Sequence, residues 1–252
     1  MSTVTGLLTA NAARWKVAKL TRASEFGPVA KKLVAAKARY QAVAAKTGVP
    51  WFVIAVIHQR ESSQNFSRSL AQGDPWNQVS THVPKGRGPF SSWEAAAIDA
   101  LVNCAPYASK WKDWSPGGTM TLLEQYNGLG YASKGLPSPY VWSGTDQYVK
   151  GKYIADGVFS ATAVDKQLGC AGLIMAMAAL DPSISFSGNV PVLTDAPVPQ
   201  SKPPVTKSEK AIVASSAAAA GAATAQYGIW IGVGVAALLI VSAFLYFKFV
   251  RK

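Results

Sequence analysis

Apolar residues recur at helical spacing in the first part of the chain. Val29, Leu33, Ala36, Tyr40 and Val43 fall at i, i+4, i+7, i+11 and i+14, one stripe of a helix. Lys31, Lys32, Lys37, Arg39 and Lys46 lie largely off that stripe. Pro28 suits the first turn of such a helix, and Gly48 with Pro50 ends it. The next run, Trp51 to Ile57, is apolar without a period and fits a buried strand or a buried helix. Its length and Pro50 at the first turn favour a helix that reaches Glu61 and stops in Ser62-Ser63-Gln64-Asn65. From there to Pro89 the chain is rich in Gly, Pro, Asn, Asp and Ser, which predicts a long loop with at most a short hairpin. Loops of that length in compact domains usually carry function. Ser91-Ser92-Trp93-Glu94 has the spacing of a capping box and opens a helix to about Asn103. Thr121 to Glu124 opens a short helix ended by Gly128. Tyr131 to Phe159, dense in Gly, Pro, Tyr and Trp, reads as irregular. Val164 to Leu180 reads as a buried helix closed by Asp181-Pro182. The class is mainly α, a helical domain with long loops.

The pattern changes near residue 188. Pro191, Pro197, Pro199, Pro203 and Pro204 sit among Val, Thr, Ser and Lys, and an Ala/Ser/Gly tract follows. This divides the chain into a domain over 1–187, a Pro/Ala-rich linker over 188–226, a transmembrane helix over 227–248 and a basic tail over 249–252. Gly228 to Phe247 is uncharged, and about 20 residues is the length that crosses a bilayer core. Tyr227, Trp230 and Tyr246 lie near its ends, as interfacial aromatics do, and Lys248, Arg251 and Lys252 follow. A lipid bilayer is therefore an expected partner through residues 228–247. Positive charge beside a span stays inside, which places the C-terminus there and the domain opposite. Met1 to Ala13 lacks the features of a signal peptide, so another route across the membrane is expected.

The net charge of +12 is unevenly placed. Residues 1–60 hold ten Lys/Arg against Glu25 alone, whereas residues 61–190 hold nine against ten acids. The basic N-terminal block either binds a polyanion or forms a solvated helix face. Its lysines interleave with a core stripe and no base-reading module is present, so nucleic acid is not an expected partner. Cys104 and Cys170 lie among apolar residues and are expected as buried free thiols, with a single disulfide between them as the alternative. With only His58 and His82 beside them, no metal-ligand spacing arises, so neither metal nor cofactor is expected. Nothing in the pattern specifies an oligomeric state.

Glu61 is the first candidate for chemistry. Reading back at helical spacing, its face holds His58, Ile57 and Ile54. Sharing that face with isoleucines desolvates the carboxyl, and the helix C-terminus disfavours negative charge, so both effects raise its pKa. A carboxyl protonated near neutral pH is what a general acid for glycosidic cleavage requires. The plainer alternative is a Glu paired with Arg60 or a loop amide.

Ile57-His58-Gln59-Arg60-Glu61-Ser62-Ser63-Gln64-Asn65-Phe66 resembles the catalytic segment of the lysozyme-like superfamily, which includes goose-type lysozymes and soluble-type lytic transglycosylases. There a helix ends in Glu-Ser and the Glu protonates the glycosidic oxygen. Leu123-Glu124-Gln125-Tyr126-Asn127-Gly128-Leu129-Gly130-Tyr131 resembles the downstream Tyr-Asn-Gly segment that lines the cleft. Leu70 to Pro75, Val83 to Phe90 and Ser138 to Gly144 are similar to a phage and prophage group of that superfamily. The likeness spans about Arg14 to Leu180. Gly86-Arg87-Gly88-Pro89-Phe90 departs from it, standing where transglycosylases carry a Gly-Leu-Met-Gln-like segment, so the cleft floor is built differently.

The resemblance implies a lysozyme-like domain. Its function would be cleavage of the β-1,4 bond between N-acetylmuramic acid and N-acetylglucosamine in peptidoglycan, with Glu61 as acid. The expected setting is a single-pass protein of a host inner membrane or a virion membrane, acting on the periplasmic wall. A second carboxylate decides the mechanism, because inverting and retaining hydrolases both need one near the bond. Asp74, thirteen residues after Glu61, is the best candidate, and goose-type lysozymes place an Asp similarly. Asp74-Pro75 is equally a turn start. If no second carboxylate reaches the cleft, the sugar's own hydroxyl attacks and an anhydro product results. Glu94 is expected as the capping-box partner, and Asp99 as solvated.

Tyr126, Tyr131, Tyr140, Trp142 and Tyr148 are candidates for stacking on sugar rings, with core packing as the alternative. Tyr126, Asn127, Tyr140 and Trp142 are expected at the substrate, Asn127 on an acetamido group, and Ser80 and Thr81 are weaker candidates. A membrane-anchored component that binds wall without cutting it is the competing reading, and a chitinase is a third.

Overall fold

Every residue from Trp51 to His58 is buried, and that run organises the architecture. A helix apolar all round has no solvent face, so it must be enclosed by other elements. The computed structural model describes residues 2–71, 73–82, 84–155 and 157–187. In it, helix α4 (Trp51–Ser62) is the central element, packed by α2 (Ala23–Ala35), α3 (Lys37–Thr47), α6 (Pro116–Asn127) and α8 (Cys170–Ala178). α5 (Trp93–Asn103) covers α3, α1 (Ser2–Val17) lies along α6, and the short α7 (Pro139–Trp142) joins α6 to α8. Two short strands, β1 (Lys152–Ala155) and β2 (Val158–Ser160), form an antiparallel hairpin with a bulge between Tyr153 and Ala155. The described residues are thus mainly helical.

The predicted stripe is real, but the helix that carries it is broken. Leu33, Tyr40 and Val43 are fully buried, while Val29 and Ala36 pack at the core's edge. The chain starts this helix at Ala23 rather than Pro28, so Pro28 lies inside α2. Phe26, fully buried, secures the early turn. It fits against α8 because residue 172 is glycine: a Cβ there would stand 2.3 Å from Phe26 Cζ. At Ala36 the path breaks, and α3 begins at Lys37.

Other boundaries also move. Ser92, not Ser91, caps α5 by accepting from the Ala95 amide at 3.1 Å. Glu94 is therefore not a capping-box partner. It takes the Arg39 guanidinium at 2.6 Å, an interaction between distant segments that spacing cannot show. Asp99 is not solvated, since it pairs with Arg87 and accepts from Asn103 Nδ2 at 2.8 Å. α6 begins at Pro116, capped by Ser115, and not near Thr121. The apolar segment expected as one helix from Val164 is helical only from Cys170. Val164 is exposed, and Asp165 turns back to the core. Cys104 and Cys170 are buried free thiols.

Among the described residues no single helix is long and apolar enough to cross a membrane. α3 and α4 meet the test only as a pair bent by 112°, and α4 is enclosed by protein. The expected linker (188–226), transmembrane helix (227–248) and basic tail (249–252) lie outside the described residues.

Candidate active site

Glu61 is the penultimate residue of α4. Ile54 and Ile57, both fully buried, fix the helix body, so the direction of its last turn is set by the core. Immediately beyond, Ser63 and Gln64 adopt φ values of 53° and 60°. Two successive non-glycine residues in the left-handed region are costly, by roughly 1–3 kcal/mol each, and persist only where the surroundings impose them. Their amides bond back to the Gln59 and His58 carbonyls at 3.0 and 3.2 Å, which caps the helix and turns the chain just beyond Glu61.

Glu61 as a residue is exposed, while protein crowds its carboxyl on the other sides. The group is reachable and incompletely hydrated at once. This crowding raises its pKa from 4.5 to about 7, against the opposing pull of the Tyr140 hydroxyl and the Arg60 charge. Tyr140, on α7, donates its hydroxyl to Glu61 Oε1 at 2.8 Å. The ring of Tyr140 is itself capped by the Arg60 guanidinium, 4.6 Å from its centroid. Arg60 is held by Asp165 Oδ2 at 3.2 Å and the Leu168 carbonyl at 3.3 Å, and Lys152 bonds the other oxygen of Asp165 at 3.1 Å.

Beside Glu61 lies a recess lined by Leu70, Ala71, Ala100, Ala105 and Tyr126. Its space is about 240 Å³, open mouth included. Its enclosed part is about 10 Å³, room for about one water, so a ligand here would lie across an open notch. Glu61 is the one carboxylate among these lining residues.

The structure brings Glu61, Tyr126 and Tyr140 together, and the other candidates are not among the residues lining the recess. Asp74 does not line the recess. Its Oδ2 accepts from the Thr81 and His82 amides at 3.0 and 3.1 Å, and its Oδ1 meets the His82 ring. The carboxylate organises the 74–82 loop. Ser80 serves the same loop, donating to the Pro84 carbonyl and accepting from the Arg87 amide, both at 2.9 Å. Thr81 is exposed beside it, and Asn127 ends α6 half-buried.

Trp142 is not available to a ligand. It is fully buried, and its Nε1 donates to Asn11 Oδ1 at 3.3 Å. Tyr140, also buried, is a hydrogen-bond donor to Glu61 and not a stacking platform. Tyr131 and Tyr148 are likewise committed: Tyr131 Oη takes the Tyr153 amide, and Tyr148 Oη takes the Asp165 amide. His58, behind Glu61, is buried, and that burial pushes its pKa down to about 4. It accepts or donates at Nδ1 with the Tyr40 hydroxyl at 3.0 Å, among Phe66 and Trp93.

Sequence reasoning offered Arg60 only as an ion-pair partner for Glu61, whereas Arg60 pairs with Asp165; it missed Asp165, and the small residues Ala71, Ala100 and Ala105 as the wall. A buried charge 105 positions from its partner leaves no local pattern. Among the described residues, no group of three or more His, Cys, Asp or Glu is placed to hold a metal ion. Comparison with protein-family models, curated proteins and solved structures gave no match for this chain.

Proposed function

We propose that this chain cleaves the β-1,4 glycosidic bonds of peptidoglycan with Glu61 as general acid. The observation that carries the reading is the state of Glu61: accessible, beside an open recess, and crowded enough to hold its proton to about pH 7. A group poised near the working pH donates a proton most effectively. The likeness of Ile57 to Phe66 and of Leu123 to Tyr131 to the lysozyme-like superfamily supplies the substrate class.

Glu61 protonates the glycosidic oxygen as the C1–O bond breaks. Because Asp74 is engaged by its own loop, the attacking group is the muramic acid's own hydroxyl, not a water held by a second carboxylate. Glu61, now a carboxylate stabilised by the Tyr140 hydroxyl, takes the proton of that hydroxyl. The product then carries an anhydro end and the acid is regenerated. The transmembrane helix expected at 228–247 would tether the domain to a bilayer facing the wall.

The test is digestion of purified peptidoglycan by the full chain, read by mass spectrometry. Anhydro-muramyl ends, lost in Glu61→Gln, are expected. Binding to wall without cleavage by the unaltered protein overturns the reading, and reducing ends overturn the intramolecular step.

A further inference from the structure

We propose that Asp165 is a positioning residue for the candidate acid: it holds the Arg60 guanidinium over the Tyr140 ring and balances that cation one residue from Glu61. This rests on Glu61 being the acid. Asp165 lies in the segment between the hairpin and α8, and its only surface is a sliver of 6%. Its oxygens are divided between Arg60 on α4 and Lys152 on β1. Its own backbone is pinned as well: the amide donates to Tyr148 Oη at 3.1 Å and the carbonyl accepts from Ser143 Oγ at 2.9 Å. It is therefore a rigid anchor.

Arg60 is what the anchor holds. Its side chain is 6% exposed, and its two fixed contacts, Asp165 Oδ2 and the Leu168 carbonyl, place the guanidinium plane over the Tyr140 ring. A buried ion pair of this kind adds little net stability over an apolar replacement. What it supplies here is a fixed and compensated cation beside the acid. With Asp165 removed, an uncompensated cation remains one residue from Glu61, on the last turn of the same helix. That cation favours the Glu61 carboxylate, the wrong state for proton donation.

The groups around the pair are few. Glu61 is faced by Tyr140 from α7, Tyr126 from α6, Cys170 from α8, and Arg60 from its own helix. Asp165 is faced by Arg60, Lys152 and Tyr148, with Arg22 and Tyr131 also feeling its charge. Burial pulls the Asp165 pKa up, but Arg60 and Lys152 together hold it below its ordinary value, so it stays ionised through neutral pH.

The chain has five glutamates, few enough to follow individually. The full chain in detergent, labelled with carboxyl-¹³C glutamate, reports the titration of Glu61, which Glu61→Gln identifies by its loss. Asp165→Asn is expected to move that titration to lower pH by roughly one unit or more. Arg60→Met, which removes the cation, moves it to higher pH. Opposite signs from two members of one ion pair are not what general loosening of the fold gives. Neither readout needs turnover, so this inference fails or stands apart from the glycosidase reading. A folded Asp165→Asn protein with unchanged Glu61 titration, or shifts of the same sign in both variants, overturns the proposal. If Asp165→Asn does not fold, Asp165→Glu carries the test by displacing the charge one methylene. A shift of the Glu61 titration to lower pH is then expected, and an unchanged titration in a folded protein overturns it.

Discussion

The Tyr140 hydroxyl donates to Glu61 Oε1 across 2.8 Å, joining a four-residue helix to the end of the central one over 79 positions of sequence. The bond favours the Glu61 carboxylate, while crowding favours the acid, and crowding is the larger effect. The hydroxyl therefore limits how far the Glu61 pKa rises. It also receives the carboxylate left after proton donation.

Tyr140→Phe removes that donor and keeps the ring under Arg60. Without it the carboxylate is less favoured and the Glu61 pKa rises further above 7. As the acid form is the active one, the alkaline limb of the wall-cleavage profile should move to higher pH. A shift of roughly half a unit to one unit is expected, read from initial rates between pH 5 and about 9.

Asp74→Asn should act on stability more than on chemistry. The substitution weakens a carboxylate that holds Thr81, His82 and the His82 ring. The expected cost is about 1–3 kcal/mol, read as a lower thermal midpoint. Activity at temperatures well below the midpoint should stay within about tenfold of the unaltered protein. A loss as large as the roughly 10² to 10⁴ expected for a missing acid–base group would restore Asp74 as the second catalytic carboxylate.

Glu124 offers a separate pH test, away from the recess. It is fully buried on α6, accepts from Asn11 Nδ2 at 3.3 Å, and burial raises its pKa from 4.5 to about 7. Between those values the folded state holds a proton that the unfolded chain has released, so stability is full below pH 4.5 and falls as pH rises to about 7. Glu124→Gln, which cannot ionise, should match the unaltered protein near pH 4.5 and exceed it at pH 8, by on the order of 1–3 kcal/mol. Thermal melts at the two pH values check this, and an equal effect at both would show that ionisation is not the cause.

Residues 1–187 should form a soluble, active domain on their own. The composition change at 188 predicts few contacts across that boundary, and Ser187 is still tied to Trp114, its amide donating to the Trp114 carbonyl at 3.1 Å. Gel filtration and wall cleavage by this fragment are the measurements. Aggregation, or a folded fragment without activity, would make the remaining chain part of the domain.

The sequence by itself determined the mainly helical class and the enclosed helix that ends at Glu61, and it signalled the raised pKa of that residue. The apolar run and the helix end are local features, and they point to a desolvated carboxyl; the packing that desolvates it comes from other segments. The stripe through Leu33, Tyr40 and Val43 was legible because its spacing is local as well. Helix starts were not, because Phe26 and Ser115 secure turns through capping and packing that outweigh the marks left by Pro28 and Thr121.

Only the tertiary structure decided what surrounds Glu61. Trp142 and Tyr140 sit in one four-residue helix, yet the first turns to Asn11 in the core and the second to Glu61. Composition cannot separate two aromatics whose roles depend on which neighbours their directions meet. Asp74 and Asp165 are parted in the same way. The nearer in sequence is occupied by its own loop, and the distant one reaches the site through Arg60. A charge can be kept in a protein interior only where partners meet it, and the partners that meet Asp165 come from α4 and β1, elements brought together by packing around the central helix.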